Sequence, residues 1–362
     1  MEAERHSDSD IASEKEKGLN RRKFLTYSAG AGAGLMAFAA GSGYVARVLA
    51  APPARATGRL LAAPETSRVI VTRCDSLFAK GKGPEKKQVG WMLDAGIRNL
   101  FDVQDSAKVW RGLFSPDDVV GIKVNCIAGP NLSTHPRIVS AIVSELEKVP
   151  IPRERIIIWD RTNRELIRAG YSINLDKPGV RCYGTDAVGH EDKASGKGSF
   201  NGRLSKILTR QITALINVPI LKNHGGAGVT IAMKNHYGSF HNPGRHHGNM
   251  CDPYMADLNS LDEIRAKTKL IVCDAARAAC NGGPGYKPAF VWQYSGLLLS
   301  CDPVALDTVG TKIIDERRTE VGLPTLAEAG RHPRCLASAA ERGLGNAEMR
   351  KIDLRTVTIR VG

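Results

Sequence analysis

No two of the eight cysteines, at 74, 126, 182, 251, 273, 280, 301 and 335, form a CxxC pair. A ferredoxin-like cluster run is therefore missing, and no disulfide pairing can be read from the spacing, although a disulfide is permitted in an oxidising compartment. Neither GxGxxG nor GxxxxGK(S/T) occurs, which withdraws sequence support for dinucleotide and nucleoside-phosphate binding. The stretch NGGPG at 281–285 lacks that spacing and reads as a tight loop. No HExxH or HxxxH pair sits on a predicted helix, so the fixed two-histidine geometry of a zinc enzyme is not encoded. No basic block is interleaved with aromatics, and nucleic acid is not an expected partner. No repeat of roughly 20 to 50 residues is visible, which excludes a solenoid or propeller.

What is present is an ordinary globular composition, 42% hydrophobic and 24% charged over 362 residues. That is enough for one large α/β domain or two smaller ones. The first fifty residues stand apart. A polar leader passes into NRRKFLTYS, then a weakly apolar Ala/Gly stretch, then small residues at Val48-Leu49-Ala50. Charged, apolar and cleavage regions in that order make a signal peptide of 1–50. Arg21-Arg22 ahead of Phe24-Leu25 resembles the twin-arginine motif. The resemblance implies handling by the twin-arginine translocase, a periplasmic or otherwise exported destination, and passage of an already folded chain, which permits a cofactor without requiring one. An uncleaved anchor or a basic leader is the competing reading, but so few large apolar residues make a poor membrane helix. Residues 51–66 read as a Pro/Ala/Arg linker. Taking seven Lys/Arg and six Asp/Glu in 1–50 from totals of 51 and 37 leaves 44 against 31, a formal charge of +13. Such a surface favours anionic metabolites, phosphorylated envelope polymers or anionic lipid heads.

Beyond the linker, strand patterns alternate with helical ones. RVIVTR (68–73), DDVVGIKVN (117–125), RIIIWD (155–160), ITALINVPI (212–220), KLIVCD (269–274) and GLLLSCD (296–302) read as strands, the fourth stopped by Pro219. Several are apolar without alternation, as strands buried on both faces are. Helices are expected at 86–101, at 134–149 with Thr134 as cap, at 255–268, and at 303–318 with Asp302 as cap and Pro303 in the first position. DLRTVTIRV closes the chain as an edge strand. The alternation predicts one α/β domain over 67–362, a mainly parallel sheet with helices on both faces.

Ligands of open parallel sheets bind outside the carboxyl ends of the strands. Those ends carry Lys123, Asn125, Asp160, Lys222, His224, Asp274 and Asp302. A single strand-end polar residue is commonly a cap for the next helix; lysines and carboxylates from several strands at one edge point to a shared site. Lys123 and Asn125, two apart, share a strand face. Lys123 lies in an apolar run and requires a carboxylate, Asp160 or Asp274, or an anionic ligand.

Five of the nine histidines fall between His224 and His247, and Lys-Asn-His occurs at both 222–224 and 234–236. AGVTIAMKNHYG reads as a short helix with Val229, Ala232, Met233 and His236 on one face. Lys234 and His236 then diverge by about 200°, so only the first triplet, on a loop, can converge on one point. Gly225-Gly226 ahead of that helix suggests an anion nest, with Lys222 adding charge. His241, His246 and His247, with the strand-end thiols of Cys126, Cys273 and Cys301, are the candidates for a metal, whose presence the sequence leaves open.

Several segments together resemble the domain-of-unknown-function 362 family: GIKVN (121–125), VPILKNH (218–224), GVTIAMKNHYG (228–238), VCDA with GGPG (272–285) and CDPVALDTVG (301–310). The resemblance spans about 67–362 and implies an α/β fold. Some members carry an attached iron–sulfur segment, for which this chain lacks the cysteines. It marks Lys123, Asn125, Lys222, His224, Lys234, Asn235, Asp274, Asp302 and Asp307 as a shared site without assigned roles. The leading expectation is an exported enzyme for a small anionic substrate, with His224 and Asp274 as acid/base groups and Lys123, Asn125, Lys222, Lys234, Asn235, Asp302 and Asp307 as ligand-binding residues. The alternatives are a non-catalytic binding or maturation partner of an exported redox or envelope system, and a metal or iron–sulfur redox protein.

Overall fold

Strands that are apolar on both sides can be stable only when both sheet faces are covered, and alternate residues here do divide between two cores. The computed structural model describes residues 65–79, 81 and 83–360; the stretches expected to be signal peptide (1–50) and, nearly all of it, linker (51–66) lie outside them. In chain order the elements are β1 (Ser67–Arg73), α1 (Lys86–Phe101), α2 (Ser106–Leu113), β2 (Val120–Lys123), α3 (Pro136–Leu146), β3 (Ile156–Trp159), α4 (Asn163–Arg168), β4 (Arg181–Cys182) and α5 (Thr185–Val188). Then follow β5 (Ser195–Lys197), β6 (Phe200–Gly202), β7 (Ala214–Asn217), β8 (Ile220–His224), β9 (Gly228–Thr230), α6 (Ala232–Asn235), α7 (Tyr254–Asn259) and α8 (Asp262–Arg265). The chain ends with β10 (Thr268–Ala279), β11 (Val291–Ser300), α9 (Pro303–Glu320), α10 (Cys335–Glu341) and β12 (Ile352–Thr358).

Ten strands form one sheet in the order β12-β1-β11-β10-β7-β2-β3-β4, with β8 paired to β10 and β9 to β8; β5 and β6 form a separate ribbon. Most pairs are parallel, but β11 runs antiparallel to both β1 and β10, and β9 antiparallel to β8. Ile70, Ile122, Ile216, Leu297 and Leu299 pack against α1 and α3. Val69, Val71, Ile271 and Leu298 face the opposite side and meet Ala305, Leu306, Val309 and Ile313 of α9. Each fully buried side chain of this kind contributes roughly 1.5–3 kcal/mol of transfer free energy. The layered α/β architecture, mainly parallel with helices on both faces, is the one the alternation predicts, and β12 is an edge strand as expected.

The helix expected at 255–268 is two short ones, α7 and α8, and the strand expected at 269–274 runs on to Ala279; four further departures bear on the site. β7 does stop at Asn217, just before Val218-Pro219, but a new strand, β8, starts at Ile220 and takes over the pairing to β10, so Lys222 and His224 lie on a strand and not a loop. The stretch after Gly225-Gly226 is not one helix, because Gly228–Thr230 pairs back on β8 and only 232–235 is α-helical. The first turn of that helix is occupied by Asp307, which accepts from Ala232 N at 2.6 Å and Met233 N at 3.1 Å, so no nest is open there. Thr134 does not cap α3. His135 does, through Nδ1 to Arg137 N, while Thr134 Oγ1 ties Asn125 N to Val218 O.

Candidate functional site

The carboxyl ends of β2, β3 and β7 deliver a buried polar network. Lys123 Nζ donates to Asp160 Oδ1 at 2.7 Å, to the Val124 carbonyl at 2.7 Å and to Asn235 Oδ1 at 3.4 Å. Asp160 Oδ2 also accepts from Cys126 N at 2.7 Å. The partner that Lys123 requires is thus Asp160, and not Asp274. Gly238 closes this pair from above: a Cβ there would fall 2.8 Å from Asp160 Oδ1 and 2.9 Å from Lys123 Nζ. Asn235 is the hub. Its Oδ1 accepts from Asn125 Nδ2 at 3.1 Å, and its Nδ2 donates to Asn217 Oδ1 at 2.7 Å. Asn217 then donates to the Ala232 carbonyl at 2.9 Å, anchoring α6 to the sheet.

Lys222 joins this network on different terms. Its Nζ is fully buried and its one hydrogen bond goes to Asn125 Oδ1 at 3.0 Å. Burial lowers its pKa from 10.5 to about 7, and the nearby Asp160 offsets this only in part. On the β8–β9 hairpin, Lys222 stands directly across from Thr230, and His224 across from Gly228. Directly opposed residues of an antiparallel pair project to the same face. Thr230 Oγ1 on that face is buried and has no hydrogen-bond partner.

His224 accepts at Nδ1 from Gly226 N at 2.9 Å, which leaves its proton on Nε2 as a donor. Burial first, then Lys234, His247 and Lys222, depress its pKa to about 3, so it is neutral at ordinary pH. Lys234 Nζ donates to His247 Nε2 at 3.0 Å and sits 3.1 Å from the centroid of the Tyr237 ring. His247 uses Nδ1 to donate to the Pro243 carbonyl at 2.9 Å, which fixes its other nitrogen as the acceptor. Burial brings Lys234 down to about 8. Among the described residues neither Lys222 nor Lys234 has a carboxylate within ion-pair distance.

The remaining predicted residues lie elsewhere. Asp302 follows β11, whose direction is reversed, so it sits at the amino edge of the parallel strands. There it caps α9 through Val304 N at 2.8 Å and Ala305 N at 2.9 Å, and it holds Ser67 and Asn346. Asp307 is spent on α6. Asp274 is inside β10 and not at its end; it accepts from His135 N at 2.8 Å and Ala276 N at 2.9 Å, and burial raises it to about 6. It faces a separate cavity of about 10 Å³ with Ser133, His135 and Arg277. A larger groove of about 940 Å³ runs along the outer side of α9 and is lined by none of the network residues. Among the described residues no three His, Cys, Asp or Glu side chains are grouped as a metal would need. The two Lys-Asn-His triplets behave differently: Lys234 turns to His247, while His236 packs its Nε2 3.5 Å from Asn217 Nδ2. Asn217 and Thr230 are not among the predicted ligands, and His247 is there only as a candidate for a metal; Asn217 at the end of the apolar run ALIN is the one available signal.

A mainly parallel sheet with a lysine–asparagine network sealed at its strand ends defines an α/β protein whose polar centre is internal and cationic. The family model described as Domain of unknown function (DUF362) matches residues 120–312, more than half of the chain, and the protein belongs to that family. The matched span contains every residue of the network. No curated protein matches the sequence. A crystal structure of a protein from Thermotoga maritima, a structural-genomics target, is similar at 10% identity with a TM-score of 0.39. The match covers 65% of this chain and 59% of that one, so the chain spans less than two thirds of that protein.

Proposed function

We propose that the chain is an exported enzyme acting on a small anionic substrate held against the inner face of the β8–β9 hairpin. The observation that carries this reading is the charge imbalance: Lys123 is matched by Asp160, whereas Lys222 and Lys234 are buried without a carboxylate. An unpaired buried ammonium is strongly disfavoured. A bound anion supplies the missing charge and returns both lysines toward their ordinary protonation. Lys222, titrating at about 7, is the group poised to exchange a proton near neutral pH. His224, neutral with Nε2 as donor, is suited to polarise a substrate oxygen and not to act as a base. Gly225, next to it in the chain, is exposed and Gly226 partly so.

The test is thermal unfolding with phosphate, sulfate or acetate added. Binding to the native state raises Tm by mass action, Lys222→Ala abolishes the rise, and a chelator has no effect. Destabilisation by the chelator without any response to anions overturns this reading. Export is tested separately with Arg21→Lys/Arg22→Lys, which should leave the precursor in the cytoplasm; an unchanged yield of processed exported protein counts against the twin-arginine route.

A further inference from the structure

We infer that the hairpin face holds two anion seats, and that the ligand is a small molecule bearing two carboxylate groups. One seat is formed by Lys222 Nζ and Thr230 Oγ1, the other by Lys234 Nζ, with His224 Nε2 between them. This rests on the anion-binding reading above and specifies the chemical class that fills it.

Three independent features of the face agree. First, Thr230 is 4% exposed and its hydroxyl has no partner, although it stands across from Lys222 on the same face. A buried hydroxyl left unpaired is unfavourable, and a carboxylate oxygen at Lys222 would accept from it. Second, the groups on this face are donors. Lys222 has two N–H bonds beyond the one to Asn125, and His224 has its Nε2–H free because Nδ1 is taken by Gly226 N. Third, there are two ammoniums and not one. Lys234 is 5% exposed, and its partners are a neutral imidazole, the face of an aromatic ring and the Cys251 thiol, none of them a carboxylate. His224 lies two residues beyond Lys222 on the same strand face, and its ring stacks at 5.8 Å on that of His247, which accepts from Lys234, so it links the two lysines. A single carboxylate would leave one ammonium uncompensated; two carboxylates joined by a short linker match the charge and use each orphaned donor.

Titration calorimetry of the full chain compares acetate and propionate with malonate, succinate and glutarate. The expected result is that one of the diacids binds at least about tenfold tighter than either monoacid, the gain from a second charge-assisted hydrogen bond. Lys222→Met and Lys234→Met should each reduce that diacid to monoacid affinity. Thr230→Val removes a hydroxyl that makes no hydrogen bond within the protein and keeps the β-branched shape, so it preserves the fold; it should weaken monoacid and diacid by the same factor. Equal affinity for all five acids, or sensitivity of the diacid to only one lysine, overturns the two-seat assignment while the anion-binding reading stands. No binding of any acid to the unaltered protein removes both.

Discussion

Replacing Lys222 with Met should make the unliganded protein more stable at pH 6, the reverse of what deletion of a buried hydrogen-bonding group ordinarily does. In the unfolded chain the ammonium titrates near 10.5, and in the folded protein at about 7. Between those values the unfolded chain binds more protons, so the lysine's contribution to stability rises with pH across that window. Below pH 7 the whole penalty is present, roughly 5 kcal/mol for a depression of that size. Met preserves the stem and deletes the charge. It orphans Asn125 Oδ1, which accepts from Lys222 at 3.0 Å, at a cost of about 1–3 kcal/mol. The net gain at pH 6 is roughly 2–4 kcal/mol, and it should vanish or reverse by pH 10. Urea unfolding at pH 6, 8 and 10 measures this directly, because every other titrating group is common to the two proteins. Lys123→Met is the control: it strands the buried Asp160 and should destabilise by about 3–5 kcal/mol. If Lys222→Met is destabilised at pH 6, or differs from the parent by a constant amount across the range, Lys222 is compensated and the reasoning fails.

Two other substitutions separate fold from site. Asp302→Ala removes the cap of α9 and the bonds to Ser67 and Asn346; it should cost about 1–3 kcal/mol in urea unfolding and leave the anion-induced rise in Tm intact. Gly238→Ala forces a methyl against the Lys123–Asp160 pair; a loss of about 1–3 kcal/mol is expected, and unchanged stability would mean that the turn after α6 does not press on that pair.

The layers of the fold were legible because runs such as RIIIWD and GLLLSCD are apolar on both sides, and only a doubly covered sheet tolerates that. Lys123 was legible for the same reason: a cation inside such a run demands a partner. Direction was not legible. Nothing in GLLLSCD says that β11 runs against its neighbours, and that reversal alone carries Asp302 to the far edge. The hairpin was also hidden. Val229, Ala232, Met233 and His236 have helical spacing, yet the first of them belongs to a three-residue strand too short to show alternation. Thr230 gained its place opposite Lys222 only through that pairing. Pro219 is the third case, since a break in one strand pairing and the start of the next look identical in sequence.

The central claim, that an anion completes a cationic interior, is tested most directly by counting protons on binding. Free Lys222 titrates at about 7 and free Lys234 at about 8, so at pH 8 both are partly neutral. An anion favours their charged forms. Calorimetric titration of succinate at pH 8 in two buffers of different ionisation enthalpy should therefore show uptake of up to about 1.4 protons per ligand bound. Binding with no proton uptake, or with proton release, would contradict the account.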